Sequence, residues 1–376
     1  MNVPLYVPWI TDSDKKSVLS SLKSPQLTDG PKLREFEKRF AKFVGTKFAI
    51  GVSNGTSALH LSLLSLGIGT KHEVIIPDMT FVATANAVFL SGAKPVCTDI
   101  DSSLNISIKS IKNKITRRTK AIIPVHFAGF PCNMDEICKV ADENDLKIVE
   151  DCAHSLGAFY KNKHVGTFGD TGCFSFYPTK NITTIEGGMV ITNSEKIANR
   201  VISSRNHGLT RTLIERQRGT NPWLYDVIEP GYNYRLDEVR SALGLSQLKR
   251  FEEITAKRKQ AAKYYNKKLI HVKGIEPVNY QDEKNHVYHL YIIRIKKEFG
   301  VSRDTAHKRL YDKGIRTTVH YKPIHQFSYF NKFELHGKKF PNTMLAYKEC
   351  LTLPLFPTIT RKQQDYVLDN LVALQK

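Results

Sequence analysis

Lys180 is the residue whose surroundings invite chemistry first. It stands in Phe174-Ser-Phe-Tyr-Pro-Thr-Lys180-Asn-Ile-Thr-Thr-Ile-Glu-Gly-Gly-Met189. There a short apolar run ends in the Ser175 hydroxyl, a turn carries the lysine, and Gly187-Gly188 lead into the next run. A lysine held among apolar and hydroxyl groups loses its ammonium preference, and its neutral amine can form a Schiff base with a carbonyl. Taken alone, a turn lysine is usually a solvated surface residue. A second segment, Leu146-Lys-Ile-Val-Glu150-Asp151-Cys-Ala-His154, puts carboxylates at the C-terminal end of a predicted strand. Open α/β sheets hold their ligands at that end. By itself Asp151 reads just as well as a helix cap or a surface acid.

Two further segments sit at strand ends. Ser53-Asn54-Gly55-Thr56-Ser57-Ala58-Leu59 opens a helix with small residues, and the N–H groups of such a start form a phosphate site. An ordinary capped helix has the same composition. No Gly-Lys-[Ser/Thr] follows, so it is not a P-loop. Gly67-Ile-Gly69 lacks the third glycine of a dinucleotide fingerprint. Pro77-Asp-Met-Thr80-Phe81-Val-Ala-Thr84 offers an aromatic that could stack on a flat heterocycle or belong to the core. Collected, these are the needs of pyridoxal phosphate: an amine, a carboxylate for the pyridine nitrogen, a phosphate cradle and a ring platform.

The elements that must position these residues follow from periodicity. Candidate strands are Phe48–Val52, Val74–Pro77, Pro95–Ile100, Ala121–His126, Lys147–Glu150, Cys173–Phe176 and Met189–Thr192. Pro31–Val44 carries Leu33, Phe36, Phe40 and Phe43 at helical spacing behind Asp29-Gly30-Pro31. Ser57–Leu66, Thr84–Leu90 and Met134–Glu143 are further helices. The alternation predicts an α/β domain with a mostly parallel sheet covered on both faces. After Gly231 the pattern changes. One or two helices are expected over Asp237–Leu269, a strand over Val287–Ile295 and a helix over Arg303–Lys313. A strand at Arg316–His320 and a terminal helix from Arg361 complete the pattern. The reading is two domains, 1–245 large and α/β, 246–376 smaller and α+β.

The chain has 376 residues, 41% hydrophobic and 24% charged, in the ordinary globular range. No run approaches the roughly 18 apolar residues of a membrane span, and the N-terminus lacks a signal-peptide pattern. A cytoplasmic protein is expected. The six cysteines form no C-x-x-C pair and no zinc spacing, so no metal is expected. The net charge of +20 comes from 56 basic and 36 acidic residues spread along the chain. Without a nucleic-acid motif, it reads as a Lys-rich solvated surface that helps attract an anionic substrate.

SNGTSALHL, TFVATANAV, VEDCAHSLGA, FSFYPTKNITTIEGGM and GYNYRLDEVRSALGLSQL, in this order along the chain, resemble the DegT/DnrJ/EryC1/StrS sugar aminotransferases. The likeness runs from Pro4 to Leu353-Pro-Leu-Phe-Pro. It implies pyridoxal-phosphate enzymes of the aspartate-aminotransferase fold type (fold type I) that aminate keto-sugars carried on nucleotides. It assigns Lys180 as cofactor anchor and proton shuttle, and Asp151 as partner of the pyridine nitrogen. Phe81 would stack on the ring, with His154 beside the ring hydroxyl. Gly55, Thr56, Ser57 and Ser175 would hold the phosphate, as would Asn233 from a neighbouring subunit, implying a homodimer with shared sites. Tyr321 and His325 are substrate candidates, with Arg235 and His207 behind them; for His207 a surface role is as reasonable. The implied partners are glutamate as amino donor and a 4-keto-6-deoxy hexose on UDP, GDP or dTDP, with pyridoxamine phosphate as the alternate cofactor form. Two rivals stand beside this reading. A related sugar dehydratase would carry histidine in place of Lys180. A non-catalytic regulator that binds the cofactor or a sugar nucleotide would carry a helix-turn-helix appendage, and none is visible.

Overall fold

The structure, a computed structural model, describes residues 1–210, 221, 223–278, 284–331 and 339–375. After helices α1 (Asp12–Leu22) and α2 (Pro31–Val44), strands and helices alternate: β1 (Phe48–Val52), α3 (Gly55–Ser65), β2 (Glu73–Pro77), α4 (Val82–Leu90), β3 (Lys94–Thr98), α5 (Ile108–Lys112), β4 (Thr119–Ile122), α6 (Met134–Glu143) and β5 (Lys147–Asp151). A small hairpin, β6 (Phe159–Tyr160) and β7 (Lys163–His164), precedes β8 (Thr171–Ser175), β9 (Gly188–Thr192) and α7 (Glu195–Ser204).

Seven strands form one sheet in the order β1-β9-β8-β5-β4-β2-β3. The pairs β2–β3, β2–β4, β4–β5 and β5–β8 are parallel, while β9 runs antiparallel to both neighbours. The parallel part is covered on both faces, so its strands are short and apolar at their centres, as at Val74–Ile76 and Ile148–Val149. Alternate residues enter different cores. Cys173 and Val190 pack with α3, α4 and α7, whereas Phe174, Met189 and Ile191 pack with α2 and Phe251.

Helix α2 buries Leu33, Phe36 and Phe40 at the expected spacing, and Gly45 closes it in the left-handed region at φ 78°. Glu238, 1% exposed, caps its other end. Its carboxylate accepts the N–H groups of Gly30, Lys32 and Leu33 at 3.0, 2.8 and 2.9 Å.

The region from Asp237 to Leu269 is two helices, Glu238–Lys249 and Phe251–Leu269. They lead to a second sheet, antiparallel, of β10 (Ile275–Pro277), β11 (Tyr291–Ile295) and β12 (Cys350–Leu353). Helices Arg303–Asp312 and Arg361–Val372 share its apolar cluster. The strand expected at Arg316–His320 forms no ladder. This stretch makes isolated bridges instead, Ile315 to Val3 and Thr318 to Thr352, because it passes between two different neighbours. No described helix is long and apolar enough to cross a membrane.

Candidate active site

The C-terminal ends of β1, β2, β5 and β8 open onto one cavity of about 570 Å³. Asp151 closes β5, and Ser175 closes the adjacent β8, five residues before Lys180. The ladder pairs Asp151 with Cys173. Lys180, Asp151, Gly55, Thr56, Phe81, His154, Ser175 and Tyr321 all line this space. The sequence motifs therefore converge, although up to 266 residues separate them (Tyr321 − Gly55).

Asp151 is 5% exposed. Burial raises its pKa, while the Ala153 N–H, the Thr84 hydroxyl and the Lys180 charge pull the other way. Thr84 Oγ1 donates to Asp151 Oδ2 at 2.9 Å, and Ala153 N–H donates to Oδ1 at 3.1 Å. Lys180 is half-buried and lines the cavity. Desolvation lowers its pKa to about 8, against the pull of Asp151. A neutral amine is thus accessible near neutral pH.

The turn before α3 is built for close approach. Asn54 caps the helix, its Oδ1 accepting from Ser57 N–H at 2.8 Å and Ser57 Oγ at 3.0 Å. Ser57 is thus committed to the cap and lies behind the cavity wall. Gly55 and Thr56 present the first turn. A Cβ at Gly55 would meet Ser175 Cβ at 2.9 Å, so only bare backbone fits there. Phe81 is 54% exposed at the cavity mouth, which removes the alternative of a core phenylalanine.

His154 Nδ1 accepts the Ala128 N–H at 3.3 Å, so its Nε2 carries the proton and donates to Tyr321 Oη at 3.1 Å. Burial keeps this imidazole neutral and pushes the Tyr321 phenol up. His325 lies outside the lining. Its backbone N–H and Nδ1 bind buried Asp78 at 2.9 and 2.6 Å, which fastens the segment after Tyr321 to the end of β2. Asn233, Arg235 and His207 also lie away from this lining. The 204–207 stretch pairs with 232–235, Asn206 bridging Asn233, and Arg235 Nη1 donates to Asn206 Oδ1 at 2.7 Å. Asn233 and His207 are exposed there.

Sequence reasoning did not single out Thr84, Tyr177, Thr179, Glu186 or His320, all in the lining. Thr84 was visible only as the end of a quoted motif. Glu150, beside Asp151, faces away from the cavity. It accepts the N–H groups of Gly166, Phe168 and Gly169 at 2.6, 2.7 and 2.8 Å and lies 3.1 Å from His126 Nε2. His126, Glu150 and Cys152 stand close enough to share an ion, but these hydrogen bonds already occupy the carboxylate.

These residues fit pyridoxal phosphate: an amine of lowered pKa, a buried acid, a bare helix start and an exposed aromatic. Fold and site together fit a pyridoxal-phosphate-dependent enzyme of fold type I. The chain belongs to the DegT/DnrJ/EryC1/StrS aminotransferase family, whose model matches residues 8–372. It is 38% identical to the spore coat polysaccharide biosynthesis protein SpsC of Bacillus subtilis, covering 98% of this chain and 95% of that one. An uncharacterised Methanocaldococcus jannaschii protein is 41% identical, over 100% and 97%. Among solved structures, Helicobacter pylori PseC, an aminotransferase of pseudoaminic acid biosynthesis, superposes with a TM-score of 0.93. It is 30% identical, with coverage of 100% and 99%. The putative sugar aminotransferase Spr1654 of Streptococcus pneumoniae, 28% identical in its PMP form, also gives 0.93, with 99% of each chain covered. It has been solved in PLP form as well.

Proposed function

We propose that this chain transfers an amino group from glutamate to a nucleotide-linked keto-sugar, a 4-keto-6-deoxy hexose on UDP, GDP or dTDP, for amino-sugar building blocks of surface glycans. The observation that carries the reading is the enclosure of Lys180 and Asp151 in one cavity with the glycine-floored start of α3. Bound there, pyridoxal phosphate supplies the electron sink and carries the amino group between its pyridoxal and pyridoxamine forms. Lys180 holds the cofactor covalently through Nζ. The same nitrogen, when free, would take a proton from carbon on one side of the exchange and return it on the other. Asp151 keeps the pyridine nitrogen protonated. Gly55, Thr56 and Ser175 hold the phosphate, with Ser57 ordering the turn behind them. Phe81 covers the ring, and His154 lies beside the ring hydroxyl.

Tyr321 meets the sugar from the cavity wall, with His325 positioning its loop through Asp78. Asn233, Arg235 and His207 are proposed to act on the cavity of a second copy, since they cluster outside their own. The 1–245 and 246–376 regions are proposed as the two domains, the chain as a cytoplasmic homodimer.

Borohydride reduction and peptide mapping test the anchor. The expected label is on Lys180, and a label on another lysine overturns the assignment. A panel of keto-sugar nucleotides offered with glutamate, read by mass spectrometry and NMR, tests the reaction. Amination of none of them would refute the substrate class.

A further inference from the structure

A second chamber of about 310 Å³ adjoins the main cavity. Tyr177, Thr179, His320 and Tyr321 line both spaces and so form the partition. Beyond it lie Leu5 and Tyr6 of the N-terminal segment, Thr318, and Thr352 and Leu353 of β12. This size matches the lower end of small-molecule sites, roughly 300 Å³.

The lining is chemically one-sided. Its polar groups are hydroxyls of threonine and tyrosine and the imidazoles of His289 and His320, set among leucines. No Asp, Glu, Lys or Arg belongs to it among the described residues; Lys180, Asp151 and Glu186 line the main cavity and not this chamber. Burial lowers the pKa of both imidazoles, that of His320 to about 3, so neither brings a charge. His289 is 4% exposed, and its Nδ1 has no hydrogen-bond partner among the described residues. Thr352 Oγ1 holds His320 Nδ1 at 2.8 Å, which fixes the partition from behind.

A carboxylate or phosphate placed here would lose its hydration without meeting a counter-charge. A neutral ring bearing hydroxyl, methyl or amide groups meets the opposite situation. Its polar groups find hydroxyl and imidazole partners, and its apolar faces rest on leucine and tyrosine. The reacting carbon of such a ring must reach Lys180, so the ring would straddle the partition and extend its remaining substituents into the chamber.

We infer that this chamber is a specificity subsite for the sugar, admitting an uncharged hexose and rejecting a hexuronate. The inference rests on the sugar-aminotransferase reading. The phosphates of the nucleotide stay outside the chamber.

Equilibrium dialysis of the cofactor-loaded protein with matched nucleotide sugars tests it. The pairs are UDP-glucose and UDP-glucuronate, and GDP-mannose and GDP-mannuronate. At least one neutral member is expected to bind tenfold or more tighter than its uronate. Thr318 is fixed through its backbone pairing with Thr352. Thr318→Lys brings a cation into the chamber and should shrink or invert that ratio. Thr318→Leu removes a hydroxyl and should weaken the neutral sugar several-fold. Far-UV dichroism and cofactor absorbance establish that each variant is folded and loaded. Equal binding of both members, no binding of either, or a ratio that Thr318→Lys leaves unmoved overturns the inference. Glutamate-driven conversion of the bound cofactor, followed by absorbance in the wild type, is scored separately. Its failure counts against the aminotransferase reading, whereas an intact conversion with a ratio near one counts against the chamber alone.

Discussion

Lys180 and Asp151 are shaped by the same force with opposite signs. Burial disfavours charge, so the lysine is lowered to about 8 and the acid is raised. Only the neutral amine attacks an aldehyde. Attachment of added pyridoxal phosphate to the cofactor-free protein, followed by absorbance, should therefore accelerate about tenfold per pH unit below about 8 and level off above it. Thr84 opposes the effect of burial on Asp151 by donating to its carboxylate. Thr84→Val should raise that carboxyl further and move the acid limb of the kcat/KM profile to higher pH, with Thr84→Ser restoring it. An unchanged limb would free Asp151 from Thr84. Lys180 and Asp151 were legible in the sequence because their residue types carry chemistry and short neighbouring motifs give them context. Thr84 and His320 were not, since their meaning comes from partners 67 residues after Thr84 and 32 after His320.

Among the elements, the capping of α2 shows how a helix start is settled from a distance. Its first N–H groups have no partner within the helix, and Gly30 at its N-cap offers no side chain. Glu238 arrives from over 200 residues away and satisfies three of them. Glu238→Ala would leave these donors buried and is expected to cost about 2–4 kcal/mol, read as a lowered melting temperature. Destabilisation below about 0.5 kcal/mol would refute that role. The Pro31–Val44 helix was legible to the residue because Pro31, Gly45 and apolar spacing mark it, and Met134–Glu143 because its apolar spacing runs between Asn133 and Asn144. Strands β10 and β12 escaped notice. They have three and four residues, too few for periodicity to register, and exist because β11 supplies the hydrogen bonds on either side.

For the whole molecule, the net charge of +20 should draw in a nucleotide-linked anion. The position of Asn233 outside its own cavity gives a test of shared sites. Mixing Lys180→Ala chains with Asn233→Ala chains should recover up to one working site per mixed dimer. Absence of any recovery, with dimers present by sedimentation, would place Asn233 in its own subunit's chemistry. What the sequence conveyed at this scale was the order of motifs. The adjacency of two cavities was hidden, because residues 5, 177, 318 and 352 meet only when the second sheet docks beside the first.

The pairing of β5 with β8 also has an evolutionary consequence. The acid and the loop bearing the lysine hang from neighbouring rungs of one parallel ladder, whose strands lie about 4.8 Å apart. That interval is a property of the peptide unit and is indifferent to side chains. Mutations that tilt the outer helices leave this gauge untouched. The flanking helices and the chamber wall are then free to drift toward new sugars while the two ends of the cofactor stay in register.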